Sequence, residues 1–144
     1  QVRAAVPAAR LVLAGPPGTP ALPRMPGIDY LGLLPHTAVA TLFGALDVGV
    51  ICLRDTPFGR YSFPQKAYEM LAMRIPLVVA RVGAMASLFA DYPACTYAAD
   101  NSASLARALL AQLRSPCVPA LPVPTWEEQA AHLEDLLDGA RARP

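Results

Sequence analysis

Lys66 and Glu69 stand three residues apart in "RYSFPQKAYEMLAMRIPLVVA", Arg60 to Ala80. On a helix that spacing puts both side chains on one face, a turn apart. The residues in front of them, Ser62-Phe63-Pro64-Gln65, match the S-x-x-Q capping box, with proline tolerated in the first turn. A helix starting there would present free backbone N–H groups and a partial positive charge, a ready site for an anion, and Lys66 adds a full charge to it. Glu69, one turn further on, could accept hydrogen bonds from two hydroxyls. A phosphate-binding turn followed by a diol-binding acid is what a nucleotide needs. The same two residues also read as a surface i,i+3 ion pair contributing a few tenths of a kcal/mol, and spacing alone leaves both readings open.

The elements that would position this helix recur along the chain. Arg10–Ala14 and Ile28–Gly32 read as strands, the first ended by the turn-forming "GPPGTP". His36–Leu46 has helical periodicity through Val39, Leu42, Phe43 and Leu46, and "VGVICL" follows as a strand. Next come a loop, Arg54–Tyr61, a helix from about Phe63 to Met73, and a strand, Pro76–Ala80. "CTYAA" is a weaker strand, followed by a helix from about Ala103 to Arg114 that Asn101 or Ser102 can cap. Continuous rather than alternating apolar strands, separated by helices, predict a doubly wound parallel α/β sheet of Rossmann-like type, covered on both faces. In such a sheet ligands bind beyond the carboxyl ends of the strands, where helices begin.

Between the first two strands "PPGTPALPRMPG" is too rich in proline for a crossover helix and predicts an extended loop or one short turn. A domain over residues 1–116 is expected to give way to a rigid proline-rich linker, 117–124, and a last helix over 125–138. There Thr125 and Glu128 form a capping box, while Trp126, Ala130, Leu133 and Leu137 form an apolar stripe.

Composition narrows the function. The 144 residues suffice for one domain with a core, 54% are apolar and 16% charged, and disorder is excluded. No apolar run reaches the ~18–20 residues that span a bilayer. A net charge of +1 with no basic stripe speaks against nucleic acid as partner. Cys52, Cys95 and Cys117 lack metal-ligand spacing, and Cys52 and Cys95 lie in apolar runs that predict buried free thiols. His36 at a helix start and His132 on a polar helix face read as solvated residues. Asp47 lacks the clustered acids of a phospho-acceptor site, and "GPPGTP" matches neither G-x-G-x-x-G nor the P-loop.

"FPQKAYEMLAMRIPLVVA" resembles the nucleotide-sugar signature of the GT-B glycosyltransferases known as glycosyl transferases group 1, in the large retaining family four. "ARLVLAGPPG", "IDYLGLLPHTAVATLFGALDVGVICLR" and "TWEEQAAHL" are similar to further family segments in the same order. The resemblance runs from about residue 8 to 137. It implies the C-terminal, donor-binding half of a GT-B fold, moving a hexose from a UDP- or GDP-linked sugar to a glycan or lipid-linked acceptor, as in bacterial surface polysaccharide synthesis. By the resemblance Glu69 binds the ribose hydroxyls, Lys66 and adjacent backbone amides face the diphosphate or sugar, and Ser62, Phe63, Pro64 and Gln65 form the donor-binding turn before them. Gly15 and Pro16 line the cleft, the base meets main chain near Ile28–Leu31, Tyr30 and Leu31 included, and Tyr61 stands where the family's sugar-side glutamate would be. Asp55 and Arg60, in the loop before it, read either as contacts to the donor sugar or as a surface pair. The family's first glutamate, eight residues before Glu69, is Tyr61 here; the glycine usual before "xP" is Arg74; the usual Gly-Gly after the "VVA" strand is Gly83 with Ala84.

Further expectations follow. The domain lacks its own first strand and an N-terminal acceptor domain, and alone is inactive; no catalytic residue is assigned within it. No metal or other cofactor is expected, since no acidic pair has D-x-D spacing. The whole protein is expected in the cytoplasm, with room for peripheral association at the inner face of the membrane. A sugar-nucleotide epimerase on the same fold and a non-catalytic nucleotide-sensing module are the alternatives.

Overall fold

The computed structural model describes residues 1–18 and 25–141. Helix α1 (Val2–Ala5) leads into strands β1 (Leu11–Leu13) and β2 (Ile28–Tyr30), then helix α2 (His36–Gly44) and strand β3 (Gly49–Ile51). Helices α3 (Pro57–Tyr61) and α4 (Lys66–Ala72) precede strand β4 (Leu77–Ala80), followed by α5 (Gly83–Leu88), a 3-10 turn (Pro93–Cys95) and β5 (Thr96–Tyr97). Helices α6 (Ser102–Arg114) and α7 (Trp126–Arg141) complete the chain. Part of the proline-rich loop after β1 lies outside the described residues.

β4 shows why an unbroken apolar run makes a parallel strand. All four of its residues are fully buried. Leu77 and Val79 pack with Ala67, Met70 and Leu71 of α4 and with Met85 and Phe89. Val78 and Ala80 turn the other way, toward Leu105, Ala108 and Leu109 of α6. With helices on both faces, neither set of side chains has to be polar. β3, β4 and β5 pair in parallel in that order, with Gly49 opposite Leu77 and Val79 opposite Thr96. β1 and β2 form a second parallel pair, Leu11 opposite Ile28, laced by the Arg10–Asp29 ion pair. The doubly wound parallel α/β class is therefore the observed one. Its hydrogen bonding comes in two pieces, so among the described residues β1 and β3 each have a single strand partner.

Several boundaries differ from the sequence reading. The helix expected over Phe63–Met73 is shorter, and the expected loop Arg54–Tyr61 contains α3. α5 had no counterpart in the reading. Cys95 is buried, but Cys52 is exposed, because β3 ends at Ile51 and the chain leaves the sheet there. Asn101, rather than Ser102, caps α6, its Oδ1 accepting from the Ser104 amide at 2.8 Å. The Thr125–Glu128 capping box forms in both directions: Thr125 N donates to Glu128 Oε2 at 2.7 Å and Glu128 N to Thr125 Oγ1 at 3.2 Å.

α4 ends in a left-handed turn. Ile75 N donates to the Met70 carbonyl at 3.0 Å and Arg74 N to that of Leu71 at 2.9 Å, with Arg74 at φ 56°. This is the Schellman arrangement, which normally takes glycine at the left-handed position because a Cβ is strained there. Arg74→Gly is accordingly expected to raise stability by about 0.5–1 kcal/mol. Chemical denaturation measures it, and a destabilised variant would show that the arginine stem contributes more than the backbone strain costs.

Beyond α6 the proline-rich segment lies against the core. Gln112, 1% exposed, accepts the Cys117 amide on Oε1 at 2.8 Å, while its Nε2 donates to the carbonyls of Leu77 and Ala94. The Ala120 amide donates to the Tyr92 hydroxyl at 3.2 Å, and Leu121 and Val123 pack on the α4–α5 side. α7 then stands clear: Trp126 is 76% exposed, and Leu133, Leu136 and Leu137 are each more than half exposed. An isolated helix of 16 residues is marginal in water. The amides of Cys117 and Ala120 should therefore exchange hydrogen at least about tenfold more slowly than those of α7, as their partners sit in the core. Equal rates would place both segments in one unit of stability. Among the described residues no helix is long and apolar enough to cross a membrane.

Candidate functional site

The chain leaving β3 is shaped by one threonine, one proline and two glycines. Thr56 is extended and its Oγ1 accepts the Gly59 amide at 3.3 Å, so it caps α3. Pro57 takes the first helical position, where a missing N–H costs nothing. A Cβ on Gly59 would lie 2.0 Å from the Arg54 carbonyl oxygen, and one on Gly83, at φ +53°, 2.2 Å from that of Arg60. α3 is thus pressed between its own entry and the start of α5. Phe58 and Tyr61 nevertheless remain 80% and 90% exposed.

Ser62 belongs to the end of α3, not to the start of α4. Its amide donates to the Phe58 carbonyl at 2.8 Å and its hydroxyl to that of Gly59 at 3.4 Å. The expected Ser62–Gln65 capping box is therefore not formed. Pro64, lacking an N–H, opens the next turn by accepting the Ala67 amide at 2.9 Å, and Gln65 flanks α4 with no side-chain cap. Phe63 stacks at a tilt on Tyr68, ring centres 5.1 Å apart. At this turn, among the described residues, the Gln65 and Lys66 amides donate to no protein acceptor.

Lys66 and Glu69 lie on the first turn of α4, both exposed. The charged groups around α3 bind one another. Arg60 Nε donates to Asp55 Oδ1 at 2.6 Å, and this bond holds the Asp55 carboxyl below its ordinary range and raises Arg60. Asp100, at φ 55°, accepts from Arg54 Nε at 3.4 Å and from the Asp55 amide at 3.1 Å. Among the described residues neither Lys66 nor Glu69 takes part in an ion pair, so the i,i+3 surface pair is not made.

Gly15, Pro16, Tyr30 and Leu31 gather separately, at the carboxyl ends of β1 and β2. The Tyr30 hydroxyl donates to the Gly15 carbonyl at 2.7 Å, the Leu31 amide to Leu13 and the Gly15 amide to Gly32. Tyr30 therefore holds the Gly15 turn in place with its own polar group. No hydrogen bond or ion pair among the described residues joins this group to the one around α4. A cavity of about 280 Å³ opens elsewhere, beside α6, lined by Cys52, Arg54, Tyr97 and Asp100 among others. It contains none of the residues expected to bind a ligand, and Arg54 and Asp100 already satisfy each other.

The family model described as glycosyl transferases group 1 matches residues 1–115. The chain belongs to that family. No curated protein and no solved structure matches it. The family match makes this a glycosyltransferase domain. The matched stretch ends just before the segment that Gln112 docks, so α7 lies outside it. Within the glycosyltransferase domain the sequence reading missed Thr56, Gly59 and Asp100 as organisers of the rim. The Thr-Pro start signal was legible for the first; Asp100 acts through pairings 45 residues distant, which no local pattern carries.

Proposed function

We propose that this glycosyltransferase domain is the donor-binding, C-terminal half of a GT-B enzyme that moves a hexose from a nucleotide-diphosphate sugar to a glycan or lipid-linked acceptor. Glu69 takes the ribose hydroxyls. Lys66 and the open amides at the start of α4 face the diphosphate, and Arg60 and Tyr61 flank the sugar. The base lies along Tyr30 and Leu31, over the turn of Gly15 and Pro16. What carries the reading is the contrast in pairing on one rim. Arg54, Asp55, Arg60 and Asp100 are all engaged, while among the described residues Lys66 and Glu69, at the start of a helix beyond the sheet's carboxyl edge, pair with nothing charged.

Two features support a larger assembly. The single-sided pairing of β1 and β3 fits one further parallel strand between them, supplied from upstream. The apolar stripe on α7 fits packing across to an acceptor domain, with residues 117–124 as the connection. On this reading the domain alone does not turn over, and the full protein works in the cytoplasm, at or near the inner face of the membrane, in bacterial surface polysaccharide synthesis.

Titration of UDP, GDP and ADP, followed by chemical shifts of the Ser62–Glu69 amides, tests the proposal. One base should be preferred, with the largest shifts at Gln65 and Lys66. Because the anion meets amides and Lys66, affinity should be retained in excess EDTA. Absence of any shift at millimolar nucleotide would sink the nucleotide reading, and loss of binding on chelation alone would sink the helix-terminus account.

A further inference from the structure

The geometry points to a thiol-disulfide clamp: Cys95 and Cys117 form an intramolecular disulfide when the folded chain meets a low-molecular-weight disulfide, fastening the proline-rich segment to the core. The two cysteines lie 22 residues apart, with α6 between them, yet Cys95 Sγ is 3.6 Å from the Cys117 carbonyl oxygen. One side chain holds both: Gln112 donates to Cys95 Sγ at 3.3 Å and accepts the Cys117 amide at 2.8 Å. Gln112 is 1% exposed, so this amide bridge fixes the approach of the two residues in the interior.

Burial sets the order of events. Cys95 is fully buried, and burial with the neighbouring thiol pushes its pKa up to about 12, so it does not meet an outside oxidant directly. Cys117 is half-buried and does. Its thiolate attacks one sulfur of the oxidant, forming a mixed disulfide and expelling one thiolate, which takes up the Cys117 proton. The Cys95 sulfur then attacks Cys117 Sγ, the mixed disulfide breaks, and the second thiolate leaves with the Cys95 proton. Two protein thiols are oxidised, one small disulfide is reduced to two thiols, and the chain gains one S–S bond. Cys52 is exposed and has no cysteine beside it, so it should stop at the mixed disulfide.

The test treats the folded chain with glutathione disulfide, quenches with acid, and maps the products by mass spectrometry without reduction. Expected are a Cys95–Cys117 crosslink, glutathione retained on Cys52 alone, and a Tm about 5–10 °C higher, since the bond closes a loop of this length. Cys95→Ala should stall after the first step, with glutathione kept on Cys117. Cys117→Ser should give neither crosslink nor rise in Tm. Wild-type chain that keeps glutathione on Cys117, leaves both thiols unmodified, or links either of them to Cys52 overturns the clamp.

Discussion

Glu69→Ala is expected to weaken nucleotide binding on the order of 100-fold. Two hydrogen bonds from vicinal hydroxyls to a carboxylate contribute roughly 1.5 kcal/mol each, about 3 kcal/mol together. Folding should hardly change, because the side chain is exposed, makes no ion pair, and alanine suits a helix. Calorimetric titration of both proteins, with matching thermal melts, measures the two effects separately. A 2′-deoxynucleotide is the control: it should bind wild type more weakly and the variant with little further loss. If wild type does not distinguish ribose from deoxyribose, Glu69 is not the ribose ligand and the donor-site proposal loses its central residue.

Gly59→Ala should act on stability instead. The added Cβ would meet the Arg54 carbonyl oxygen at 2.0 Å, and a backbone oxygen cannot swing aside as a side chain can. Either α3 lifts away from the Arg54 loop or the loop gives up the Asp100 contacts to Arg54 and the Asp55 amide. Overpacking of this kind costs on the order of 3 kcal/mol, and for a chain of this size Tm should fall by roughly 10 °C. Thermal unfolding followed by circular dichroism reads it. A melt like that of wild type would mean that the α3 segment is loosely held, and with it Arg60 and Tyr61. The two variants separate the roles on one rim: Glu69 is expected to matter to the ligand and Gly59 to the frame.

The strands were legible because burial on both faces leaves an unmistakable mark: Leu77–Ala80 is apolar without alternation. The last helix was legible too, since the Thr125–Glu128 box uses only neighbours in sequence. Ser62 misled for a physical reason. Its type and its distance from Gln65 fit a cap, but α3 ends on it first, and that helix has only five residues. Short helices such as α3 and α5 leave too few turns for a periodicity to show. Gly83 illustrates a second limit: the resemblance expects two glycines there, but the left-handed φ and the approach of the Arg60 carbonyl fall on the first. Arg74 is the converse case, where the backbone keeps the conformation of a glycine that the sequence does not have. The division of the sheet could not be read, since no residue pattern says which strand is whose neighbour.

That division bears on how the molecule behaves in a tube. Strand edges with unpaired amides and carbonyls are templates for other chains, and natural sheets blunt them with charge, proline or a covering element. β3 is flanked by Val48 and made of Gly49, Val50 and Ile51, with no charged residue among them. β1, Leu11–Leu13, is equally uncharged between its ends. Among the described residues both have one strand partner, where an inner parallel strand has two. Gly49 and Ile51 are buried where they stand, whereas Leu11 at the start of β1 is exposed, so β1 is the edge more open to another chain. Yield of soluble chain would then report on how that edge is covered rather than on core stability.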